Sequence, residues 1–158
     1  MARERCHLVA VEDLSTATTV AAAAAHLAVE QEVTVVLLVH VLNQHPLIHG
    51  LLNLGGPGSQ ATEAPADGEL VLTLAERALL AELAILGHAA PAISHYLAAG
   101  EPARVIEVAA REYGAVAILV GARRPHAFGL LHPDVRATLA AHAPCPVHVA
   151  FLQEPSSH

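Results

Sequence analysis

Residues 33–41 read Val-Thr-Val-Val-Leu-Leu-Val-His-Val. The run is rich in β-branched residues and does not alternate between apolar and polar. A strand with one wet face alternates, so this one needs cover on both sides, as in a parallel sheet sandwiched between helices. On its N-terminal side, His7 to Val11 is a second short apolar run, closed by Glu12 and Asp13. Ser15, Thr16 and Thr18 then offer N-caps for an alanine-rich helix reaching about Glu32.

On its C-terminal side, Asn43 to Gly68 collects Pro46, Gly55, Gly56, Pro57, Gly58, Pro65 and Gly68. Residues 43–68 are therefore expected to be an irregular, flexible loop. Glu69 to Gly87 carries Leu70, Leu74, Leu79, Leu83 and Leu86 at helical spacing, with Gly87 as its C-cap. Pro91 to Leu97 reads as a weaker strand, interrupted by Ser94 and His95. Pro102 opens a helix over Ala103–Tyr113, which Gly114 ends. Ala115 to Val120 is a buried strand running into Gly121, and Ala122 to His132 is a connector. Pro133 to His142 is a last helix and Pro146 to Leu152 a last strand. Strands alternating with helix-length crossovers predict one α/β domain over residues 1–158, a doubly wound five-stranded parallel sheet. Ligands in such sheets sit beyond the carboxyl ends of strands at the point where strand order reverses. The loops after Val11, Val41 and Val120 are the places to look.

Composition narrows the function. The chain has 158 residues, 54% hydrophobic and 15% charged, which is a core-forming composition. Its eight basic residues are all arginine. Without lysine there is no Walker-type phosphate loop, although Gly55 to Ser59 superficially resembles one, and no Schiff-base chemistry. A net charge of −7 repels a nucleic-acid backbone, and two Tyr and two Phe make no stacking platform. Cys6 and Cys145 are too few for an extracellular disulfide framework. The apolar stretch Val20–Val29 follows two acids and contains His26, so it reads as neither a signal sequence nor a membrane span. The expected location is the cytoplasm.

Several segments together resemble the universal stress protein family. Val9-Ala10-Val11-Glu12 with Ser15 is similar to its first strand and acidic turn, and Leu38-Val39-His40-Val41 to the end of its second strand. Gly100-Glu101-Pro102-Ala103 with Ile106 resembles its third crossover, and Ala117-Ile118-Leu119-Val120-Gly121 its fourth strand. His142-Ala143-Pro144-Cys145-Pro146-Val147 resembles its closing segment. The resemblance covers about residues 7–151, apart from the loop, and implies a flavodoxin-like (Rossmann-like) sheet of order 3-2-1-4-5 in a cytoplasmic homodimer.

One branch of that family binds ATP or a related adenine nucleotide through Gly-x2-Gly-x9-Gly-Ser/Thr after the fourth strand. Here Gly121 fits the first glycine, but Arg124 takes the second position. The final pair falls on Asp134-Val135 counted forward, or Pro133-Asp134 counted back from His142. Glu12 stands where the resemblance places an aspartate against the nucleoside. Pro133 has no N–H to offer a phosphate, and Asp134 sets a fixed negative charge at the helix start. A self-capped helix and a lost triphosphate site are the same prediction. Against it stand Arg123 and Arg124, which either grip an anion from the side or simply face water. A pocket that still binds AMP or ATP would be made of Glu12, Val41, Gly121, Arg123 and Arg124, with Pro133 and Asp134 at its phosphate end.

Other chemistry has thinner support. Twelve histidines include His40, His45 and His49, a zinc-like grouping that no cysteine or carboxylate completes; no metal is expected. No nucleophile has a placed base: Ser94 and His95 are adjacent in a strand and point to opposite faces. Asp134 is the residue most easily mistaken for a hydrolase's metal carboxylate. Cys145, between two prolines, reads as buried rather than reactive, and His142 as structural. Val147, Val149 and Phe151 alternate along the last strand, which resembles the edge through which family members dimerise. The sequence thus reads as a non-catalytic stress-response or signalling dimer that has lost ATP binding. It needs no cofactor and engages neither nucleic acid nor membrane, and its protein clients are unknown. The alternatives are an adenine-nucleotide sensor of the same family and, more remotely, a nucleotide hydrolase.

Overall fold

A computed structural model describes residues 4–42, 63–122 and 135–151. The apolar run that opened the reading becomes β2 (Val35–Leu42), which pairs in parallel on both sides. Its neighbours are β1 (Cys6–Ala10) and β3 (Ala92–Ala99). β4 (Ala115–Ala122) lies against the far side of β1, and β5 (Val147–Phe151) against β4. The order is β3-β2-β1-β4-β5, so the chain winds outward from β1 in one direction and then in the other. The reversal falls between β1 and β4. The helices are α1 (Leu14–Glu30), α2 (Pro65–Ile85), α3 (Pro102–Tyr113) and α4 (Val135–His142).

Alternation along β2 divides the core in two. Val36 and Leu38 enter a layer beneath α1 and α2, while Leu37 and Val39 enter one beneath α3 with Leu139 of α4. All four are at most 1% exposed, and burying each such side chain stabilises the fold by roughly 1.5–3 kcal/mol. α1 turns Ala17, Ala21, Ala24, Ala25 and Ala28 inward, so its backbone lies close to the sheet and to α2.

Several boundaries differ from the sequence reading. The cap of α1 is Asp13, not Ser15, Thr16 or Thr18; its carboxylate accepts from the Thr16 N–H in a reciprocal capping box. α2 begins at Pro65, so residues 65–68 of the expected loop are helical, and residues 43–62 lie outside the described residues. Pro at the first helical position is what starts it there. Gly68 is fixed by close approach, because a Cβ there would sit 2.7 Å from Leu97 Cδ1 and 2.9 Å from Leu42 Cδ2. Ser94 and His95 do not interrupt β3, which runs to Ala99. It is an edge strand, and His95 is accommodated by donating toward Glu76 of α2, with Nε2 at 3.0 Å. Gly87 and Gly114 end α2 and α3 at φ of 67° and 61°, the left-handed region that favours glycine.

Candidate functional site

Strand order places the candidate site before any side chain is considered. Ala10 of β1 is level with Val39 of β2 and Val120 of β4. The next residues of those three strands therefore emerge side by side at the carboxyl edge: Val11-Glu12-Asp13, His40-Val41-Leu42 and Gly121-Ala122. Glu12 is exposed, and Val41 and Gly121 are half-buried. These three sequence-selected residues share one end of adjacent strands. Arg123, Arg124, Pro133 and Asp134 lie outside the described residues, as do His45 and His49.

The turn after β1 is held from several sides. The Val11 N–H donates to the Val39 carbonyl at 2.8 Å. The Val11 carbonyl accepts from His40 Nδ1 at 2.7 Å. Asp13 Oδ1 accepts from the Thr16 N–H at 2.9 Å, the Thr16 hydroxyl at 3.0 Å and the Ser15 hydroxyl at 2.7 Å. This helix N-terminus is already occupied by its own carboxylate.

His40 is 1% exposed. Its Nε2 lies 2.7 and 2.9 Å from the two carboxylate oxygens of Glu63, just before α2. Both ring nitrogens are thereby engaged, which leaves none for the metal grouping considered above. Among the described residues, no group of three or more His, Cys, Asp or Glu is placed to hold a metal. Gly68 completes the surround, since a Cβ there would come within 3.2 Å of His40 Cδ2.

The sequence reading missed two of these participants. Asp13 carried a signal, an acid three residues before Thr16 at the start of an apolar helix. Glu63 carried none, because its partner is 23 residues away in sequence. Elsewhere, burial pushes the thiols of Cys6 and Cys145 up from the usual range. Both are free; Cys6 is buried, whereas Cys145 is half-buried rather than buried as the sequence reading expected. A shallow depression of about 270 Å3 lies at the end of β3, between Tyr96, Gly100, Arg104, Val105 and Val108, away from the strand-order reversal. Among the described residues, no helix is long and apolar enough to cross a membrane.

The profile of the universal stress protein family matches residues 7–150. No curated protein matches the chain significantly. Among solved structures, a universal stress protein from Archaeoglobus fulgidus is 24% identical with a TM-score of 0.64, covering 92% of each chain. The A. fulgidus protein in complex with dAMP is 19% identical with a TM-score of 0.60, over 94% of this chain and 98% of that one. A universal stress protein in complex with cAMP is 15% identical, also at 0.60, over 96% of this chain and 100% of the other. At these identities the likeness is one of fold.

Proposed function

This chain belongs to the universal stress protein family, and from that premise we propose that it is a non-catalytic stress-response or signalling protein, acting as a cytoplasmic homodimer, whose crevice no longer takes a nucleoside triphosphate. The observation that carries this is that the final glycine followed by Ser or Thr of the nucleotide-binding branch is missing in either register, the pair falling on Asp134-Val135 or on Pro133-Asp134, so Asp134 is present in both. A carboxylate about 4 Å from a phosphate costs on the order of 4 kcal/mol at an effective dielectric of 20. That turns micromolar affinity into millimolar. The self-capped turn at Asp13 supports the same reading, because its own carboxylate already takes the Thr16 N–H and the Ser15 hydroxyl. Titration calorimetry with ATP and magnesium is the test. Binding no tighter than about 1 mM is expected, and a Kd below about 10 µM would overturn the reading.

A second reading is favoured by one observation: two structural neighbours are complexes with dAMP and cAMP, both monophosphates. A monophosphate has no γ-phosphate for the charge of Asp134 to repel, and Arg123 and Arg124, which follow Gly121 closely in sequence, offer two cations. In the same calorimetry, micromolar AMP binding alongside absent ATP binding would select this sensor. β5 supports the dimer: no described strand pairs its outer edge, and Val147 and Val149 stay half-buried although they pack against the α3–α4 layer. Light scattering should return twice the monomer mass.

A further inference from the structure

His40 sits between two acceptors, and this fixes how many protons it must carry. The Val11 carbonyl can only accept, so Nδ1 bears a hydrogen and donates at 2.7 Å. Nε2 faces carboxylate oxygens at 2.7 and 2.9 Å, so a second proton must lie between His40 and Glu63. Imidazolium with carboxylate satisfies this, and so does neutral imidazole with carboxylic acid. Both hold one proton more than neutral imidazole facing carboxylate. A neutral ring has one N–H for two acceptors. Once the extra proton leaves, a nitrogen lone pair faces either the Val11 carbonyl or Glu63 at hydrogen-bond distance. One of the two contacts must open.

We propose that the His40–Glu63 pair is a proton-dependent latch that positions the β1–α1 turn at the mouth of the crevice. With the proton, His40 ties Val11 and the start of α2 together. Without it, either the turn or Glu63 is released. Glu12 follows Val11, and Val41 follows His40, so the latch acts on the backbone that carries two of the candidate ligand residues. Its bearing on ligand binding rests on the reading of the crevice given above; the latch itself does not.

The surrounding elements add other titratable groups. These are Glu12 and Asp13 after β1, Asp67 and Glu69 in the first turns of α2, His26 and Glu30 on α1, and His95 on β3. His95 is engaged by Glu76 and Glu69, and His26 by Glu82. Among the described residues, the His40 ring bonds to Val11 and Glu63 alone. Raising the pH removes the shared proton by mass action, so the latch opens as pH rises.

The test is amide hydrogen exchange of Val11 to Ala17, which reports release of the turn, and of Asp67 to Val71, which reports release of Glu63 and the start of α2, in the full chain from pH 5.5 to 8.5, corrected for intrinsic rates and without ligand. Wild-type protection is expected to fall about ten-fold as pH rises, the loss of one charge-assisted hydrogen bond. Glu63→Gln should remove the step. A Gln amide N–H can donate to Nε2 while Nδ1–H still donates to Val11, so both contacts persist with a neutral ring. A flat wild-type profile, or the same step in Glu63→Gln, overturns the latch. Should that variant not fold, the ring 15N signals of wild-type His40 decide: proton loss coincident with the exchange step supports the latch, and a ring with a single N–H at every pH, both contacts intact, refutes it. Because no nucleotide is present, failure here is separate from any failure of AMP or ATP to bind.

Discussion

His7 and His40 lie on the same face of the sheet, 2% and 1% exposed, at opposite ends. His7 stands at the amino end of β1, and its Nε2 meets the amide oxygen of Gln31 at 2.8 Å. One N–H donating to one neutral acceptor needs no charge, and burial above all holds the His7 pKa below its ordinary value. His40 stands at the carboxyl end of β2 with two acceptors, one of them a carboxylate. The two residues match in type and burial, so the difference lies in their partners. At the amino end the buried ring meets a neutral partner, whereas at the carboxyl end, where strand order places the candidate site, it holds both partners only with a shared proton. Burial of a histidine therefore says little until both ring nitrogens are accounted for.

Replacing each ring by leucine should separate the two ends most strongly. His40→Leu strands the Val11 carbonyl and turns Glu63 toward an apolar side chain, for an expected loss of about 3 kcal/mol by urea denaturation at pH 6. His7→Leu should cost less than about 1 kcal/mol, because half-buried Gln31 returns to water. Equal losses would erase the comparison. Gly68→Ala sharpens it. The added methyl meets the movable ends of half-buried Leu97 and Leu42, and, more consequentially, comes within 3.2 Å of the His40 ring, which cannot give way without straining its hydrogen bonds. Overpacking of about 1–3 kcal/mol should exceed the gain of up to about 1 kcal/mol in helix propensity, giving a lower melting temperature.

The smallest effect is the acid limb of stability. His7 has a lowered folded pKa, so below about pH 6.5 the unfolded chain takes up a proton that the native chain refuses. Stability then falls with falling pH, by at most about 1.4 kcal/mol per unit from this group. His7→Leu should flatten that limb in denaturation at pH 5 and 7. An unchanged limb would mean that the native protein protonates His7 freely.

What the sequence revealed follows from how local the cause was. The run 33–41 announced a doubly covered strand because burial on both faces leaves no polar alternation. Leucine spacing identified α2 but not its start, since Ala64 makes no side-chain cap and Pro65 had been assigned to the loop. Ser94 and His95 seemed to break β3, but an edge strand tolerates a polar side chain that an adjacent helix can receive. That Glu12, Val41 and Gly121 share one end of the sheet was legible from their positions at strand ends. The tie from Glu63 to His40 was not, because it joins residues that only the crossover brings together.

The alanines on the inward face of α1 have a consequence for how this molecule can change over evolutionary time. Ala17, Ala21, Ala24, Ala25 and Ala28 are each at most 2% exposed. Every step away from alanine there meets an obstacle: glycine loosens the helix, and anything bulkier finds no room. That seam tolerates little substitution in this chain. Divergence between this chain and its kin is expected to accumulate at exposed positions, where a new residue displaces only water.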